Sequence, residues 1–170
     1  MDNKTKKIVI NGLMIALVCL ATMTIQIPIP GTQGYVNVGD SVIFISSILF
    51  GPFTGMIAGG VGSALADILS GYSHWALFTL IIKGLEGYIV GVTILKRHTM
   101  INMVSSTLLG SIVMVIGYFL AGILLNGGVL VSAGSIPANI VQGITSIVIA
   151  VPITCSLRKT SYVKRLNAQH

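Results

Sequence analysis

A single apolar run, LFTLIIKGLEGYIVGVTIL at residues 77–95, limits what this chain can fold into. It is long enough to cross a hydrocarbon core, which takes about 20 helical residues. Yet Lys83 and Glu86 stand in its middle. A lone charge at that depth costs at least about 2.5 kcal/mol. The helix therefore needs neighbours that answer both charges.

The rest of the chain supplies such neighbours. Apolar runs predict spans at residues 8–27, 41–50, 53–69, 75–95, 103–125 and 136–157. The breaks between them carry Gly, Pro, Ser and Asn, as in IPIPGTQGYVNVGD, SGYSH and NGGVLVSAGS. Charged residues make up 8% of the chain, against about 25% in soluble domains. Six spans consume most of its 170 residues. The expectation is therefore an all-α, integral membrane protein forming a single domain over residues 1–170, multi-pass in a bacterial cell membrane. The lysines before residue 8 resemble the start of a signal peptide, but no small-residue cleavage site follows before Gln26, so a retained first span is expected.

The net charge of +6 does not point to nucleic acid. Lys4, Lys6, Lys7, Lys96, Arg97, Arg158, Lys159, Lys164 and Arg165 flank apolar segments, which is the positive-inside pattern. With Lys7 and Lys96 on the same side, an even number of crossings separates them. One helix over 41–69 breaks that parity, whereas two spans, 41–50 and 53–69, keep it; a re-entrant hairpin also keeps it. Six transmembrane helices with both termini cytoplasmic are expected. The ten residues of 41–50 rise only about 15 Å, so this span must sit in thinned bilayer or be covered by neighbours.

Four acidic residues exist: Asp2, Asp40, Asp67 and Glu86. Lys83 is the only basic residue away from the flanks. Lys83 and Glu86 lie about 60° apart around a helix, so they can neutralise each other. Lys83 can instead pair with Asp67 across helices, and Asp40 reads as a helix N-cap. Trp75 and Tyr72 fit an interfacial aromatic belt, and Asn139 and Gln142 fit interhelical hydrogen bonds. Taken together, Tyr35, Asn37, Asp67, His74, Trp75, Lys83, Glu86, Asn139 and Gln142 form a candidate binding site for a small, flat, polar heterocycle. The alternative is a solitary ion-coupled transporter with Asp67, Lys83 and Glu86 as its relay.

Small residues recur at helical spacing in Gly55/Gly59/Ser63, Gly84/Gly87/Gly91 and Gly12/Ala16. Such stripes let helices approach closely, within the chain or, for Gly12/Ala16, on a partner. The two cysteines, Cys19 and Cys155, read as small buried apolar groups. No phosphate loop, zinc-protease, paired-cysteine or serine-elbow motif is present, so neither a cofactor nor an enzyme is expected.

The ordered series GYVNVGD, LFGPFTG, GSALADILSGY and IIKG resembles the S components of energy-coupling factor (ECF) vitamin transporters, over essentially the whole chain. The resemblance implies six helices and high-affinity capture of a vitamin-like small molecule. It implies partnership with a transmembrane coupling subunit and two ABC-type ATPases, docking through Gly12 and Ala16, and toppling in the membrane to release substrate. The loop GYVNVGD is similar to members assigned to pyrimidine precursors of thiamine or to pyridoxine. The wider family covers riboflavin and other B vitamins.

Overall fold

The computed structural model describes residues 2–32, 34–94, 99–125 and 127–160. Lys96, Arg97, Lys164 and Arg165 of the basic flanks lie outside the described residues, as do Leu95 and Asn126 at span edges. The described chain runs α1 (Asn3–Thr24), β1 (Gln26–Pro28), β2 (Tyr35–Asn37), α2 (Gly39–Phe50), α3 (Pro52–Leu69), α4 (Ala76–Ile94), α5 (Met100–Leu125), α6 (Val129–Ala133) and α7 (Ile136–Lys159). Five helical stretches are long and apolar enough to cross a membrane; α2 is the short sixth.

The bundle buries hydroxyls and charged groups beside its apolar core, and its outer surface is apolar. Ser46, Ser47, Thr107 and Ser146 are buried, while Leu80, Ile112, Leu120 and Ile144 are exposed. Water would enforce the reverse; hydrocarbon around the bundle tolerates only this arrangement.

The main helices alternate in direction. At one end, the Asn11 and Thr54 side chains bond at 2.9 Å, and Cys155 lies 3.7 Å from the Met103 sulfur. Lys4, Lys6, Lys7, Arg158 and Lys159 sit toward this end. At the other end, Gln26 donates to Ser70 at 3.0 Å, and Ser132 of α6 donates to the Phe119 carbonyl at 2.6 Å.

Helix α2 has 12 residues, about 18 Å of rise against about 30 Å of hydrocarbon. It survives because α1, α3, α4 and α7 surround it. Gly51, at φ 91°, reverses the chain, and Pro52 opens α3 where its missing N–H costs nothing.

The long glycine stripes pack inside the chain. A Cβ on Gly59 would stand 2.6 Å from the Lys83 carbonyl oxygen, and one on Gly60 would stand 2.7 Å from the Leu80 carbonyl oxygen. Backbone contact thus sets α4 against α3. Gly12 differs: it and Ala16 are exposed, and no atom lies within 4 Å of a Cβ built on Gly12.

Three local expectations change. The first long loop contains an antiparallel hairpin, pairing Gln26 with Asn37, Ile27 with Val36 and Pro28 with Tyr35. Pro28 and Pro30 stop α1 from continuing, and the extended backbone finds its partners across the turn. Asp40 is not an N-cap: Val38 holds that position, and Asp40 lies inside the first turn of α2 with its carboxylate turned inward. Cys19 and Cys155 are free and half-buried rather than buried.

Candidate functional site

The hairpin roofs a cavity among the ends of α1, α3, α4, α5 and α7. Its lining includes Thr22, Tyr35, Asn37, Ser63, Asp67, Trp75, Thr79, Lys83, Tyr118, Ser135 and Asn139. Its enclosed volume is about 40 Å³, within about 520 Å³ of non-atom space once the open mouth is included.

Lys83 reaches the cavity floor from α4. Its side chain is 1% exposed, and its ammonium forms ion pairs with Asp40 and with Glu86, the latter at 2.9 Å. The ammonium also lies 5.4 Å from the centre of the Tyr118 ring, a favourable cation–π placement. The second Asp40 oxygen accepts from Gln142 Nε2 at 2.7 Å. Gln142 Oε1 in turn accepts the Asn37 N–H at 2.8 Å, and Asn37 Oδ1 accepts the Gly39 N–H at 2.8 Å. One polar chain therefore ties α4, α2 and α7 to the hairpin. A buried charge of either sign is tolerable only with such partners.

Asp67 stands on another wall. Its Oδ1 accepts the Tyr35 hydroxyl at 2.6 Å. Burial, and then the neighbouring Asp67 charge, push the Tyr35 phenol well above its ordinary value of 10.0, so it remains a donor. The aromatic residues complete the wall: Trp75 meets Tyr118 edge-on at 5.8 Å between centroids, and Tyr35 lies 4.6 Å from Tyr72.

Of the residues singled out from sequence, Tyr35, Asn37, Asp67, Trp75, Lys83 and Asn139 line the cavity. Glu86 and Gln142 lie beneath it, holding Lys83 and Asp40. His74 is exposed and packs beside Tyr72 and Trp75, outside the lining. The pairing of Lys83 with Asp67 is not formed; Asp40 takes that place, and Asp67 bonds Tyr35. Consequently no direct ion pair links Asp67 to Lys83 and Glu86 among the described residues. Thr22, Ser63, Thr79 and Tyr118 carried no signal, because lone hydroxyls on apolar helices are common. Asp40 had one: a buried lysine needs an acid, and only three acids lie near the spans.

A bundle with an apolar exterior, charged interior contacts and a polar cavity at one end is a multi-pass membrane protein with a built small-molecule pocket. The family model for the ECF-type riboflavin transporter, S component, matches residues 2–159. The chain belongs to this S-component family of ECF-type transporters. An uncharacterised protein of Pyrococcus woesei is 44% identical over 145 residues, covering 84% of this chain and 95% of that one. The thiamine precursor transporter HmpT of Lactococcus lactis is 35% identical over 162 residues, covering 94% and 93%. The solved S component of a bacterial ECF transporter superposes with a TM-score of 0.74 at 19% identity, covering 92% of this chain and 98% of that one. That last likeness is one of fold.

Proposed function

We propose that this chain is the high-affinity substrate-capture subunit of an ECF-type importer, and that its cavity takes a hydroxymethylpyrimidine- or pyridoxine-like vitamin or precursor. The observation that carries this reading is the cavity itself: aromatic faces from Trp75 and Tyr118, hydrogen-bonding groups from Asp67, Asn37 and Asn139, and Lys83 on the floor. Aromatic faces beside a few placed polar groups suit one flat, polar ring. Glu86 and Gln142 hold the floor residues, and His74 flanks the rim. HmpT, similar over nearly the whole chain, is named for a thiamine precursor; the family name, which carries riboflavin, supplies the competing ligand.

The basic end faces the cytoplasm with both termini, and the hairpin end faces outside, because Lys4, Lys6, Lys7, Arg158 and Lys159 gather at one end. The exposed Gly12/Ala16 face of α1 docks on a transmembrane coupling subunit that works with two ABC ATPases. A small-residue face left unused inside the chain supports close approach of an outside helix.

Native mass spectrometry of the purified protein, followed by titration with a vitamin panel, tests the capture role. Trp75 is the single tryptophan, so its fluorescence reports the cavity. A co-purified small heterocycle that rebinds with nanomolar affinity and changes Trp75 emission is the expected result. No bound mass and no binding across the panel would refute capture.

A further inference from the structure

The polar accounting of the cavity separates its two charged walls. The Lys83 ammonium is already matched by two carboxylates, Asp40 and Glu86. Asp67 is different. It is 4% exposed, its Oδ1 is used by Tyr35, and its Oδ2 is buried with no donor in hydrogen-bond geometry, the Thr79 hydroxyl lying beside the carboxyl on the same wall. Thr22 is 2% exposed, and its Oγ1 is likewise unpartnered. Both residues line the same cavity. Buried polar atoms are rarely left unpaired, since each costs about 1–3 kcal/mol.

We infer that Asp67 selects the ligand class, and that the cavity takes an uncharged or cationic nitrogen heterocycle carrying an amino group and rejects carboxylate-bearing rings. The inference rests on the capture role proposed above and narrows it. An unpaired carboxylate oxygen calls for a donor. An amino group beside a ring nitrogen meets a carboxyl through two hydrogen bonds, with the proton on either partner. The Thr22 hydroxyl can serve a ring nitrogen or a hydroxyl substituent. A ligand carboxylate has no comparable place: Asp40 and Glu86 already answer the Lys83 ammonium, and Asp67 adds a third carboxyl on the cavity wall. The third N–H of Lys83 can still donate to a neutral acceptor, but its charge is answered.

The test is calorimetric titration of the detergent-purified protein with hydroxymethylpyrimidine, its des-amino analogue, pyridoxine, riboflavin and nicotinate. The amino ring should bind most tightly, and the des-amino analogue about 100-fold more weakly, as when a site built for a donor meets a ligand lacking it. Nicotinate should not compete. In Asp67→Ala the ratio between amino and des-amino rings should collapse to within about threefold, since the amino group no longer meets an acceptor. The wild-type ratio stands by itself if that variant does not fold. Equal binding of the two analogues, tight binding of nicotinate, or an unchanged ratio in folded Asp67→Ala overturns the inference. If pyridoxine or riboflavin binds tightly and the amino ring does not, the capture role stands and this inference falls. If nothing in the panel binds, both fall.

Discussion

Replacing Lys83 with Met removes the one cation from a buried cluster and leaves Asp40 and Glu86 facing each other. The Lys83–Glu86 contact at 2.9 Å carries about 6 kcal/mol of attraction at an effective dielectric of about 20. Desolvation offsets much of that in the intact protein, but the variant keeps the desolvated acids and loses their counter-charge. Breaking one partner of a buried ionic group costs about 3–5 kcal/mol. For a chain of this size each kcal/mol moves the unfolding midpoint by about 2–4 °C, so Lys83→Met should lower Tm by about 6–20 °C. The assay is thermal unfolding in detergent, followed by Trp75 emission. Glu86→Gln alone should cost far less, because Glu86 Oε1 has no partner and Lys83 keeps Asp40. The double variant Lys83→Met/Glu86→Gln should be more stable than Lys83→Met, with a coupling of at least about 1 kcal/mol. A Lys83→Met midpoint within about 2 °C of the parent, or two effects that simply add, would refute the ion-cluster account.

Three further outcomes are expected. Stability should fall as pH rises above 10, because the unfolded tyrosine ionises there while the folded Tyr35 phenol stays protonated. Tyr35 contributes about 1.4 kcal/mol per pH unit to this loss, so Tyr35→Phe should fall less steeply by that amount in parallel denaturation series. Gly12→Leu should leave Tm and ligand affinity unchanged, since nothing approaches that position, yet should abolish co-purification with the coupling subunit; unimpaired assembly would remove α1 from the docking surface. Gly59→Ala should cost about 1–3 kcal/mol, because its methyl meets the Lys83 carbonyl rather than open space; an unshifted melting curve would show that α3 and α4 separate freely.

Much of this protein is legible in its sequence, because bilayer physics acts on stretches of about 20 residues at a time. The apolar runs, the flanking basic residues and the Gly51-Pro52 break are local patterns, and they locate five long helices and a short one. The glycine stripes likewise announce close helix approach, though not that α3 and α4 are the pair. Candidate site residues were legible by rarity: in a chain 54% hydrophobic, each interior charge or amide stands out.

What the tertiary structure alone decided is who meets whom. Asp40 reads as a cap because its neighbours in sequence form a turn, yet it answers Lys83, 43 residues away, and Gln142, 102 away. The hairpin of Gln26–Pro28 with Tyr35–Asn37 is too short to show a strand period, and it is needed to bring Tyr35 onto Asp67. The physical reason is the same in each case. Hydrophobicity and backbone propensity are properties of a residue and its near neighbours, and one chain displays them. The partner of a buried charge is set by how helices cross in three dimensions, and no local pattern records it.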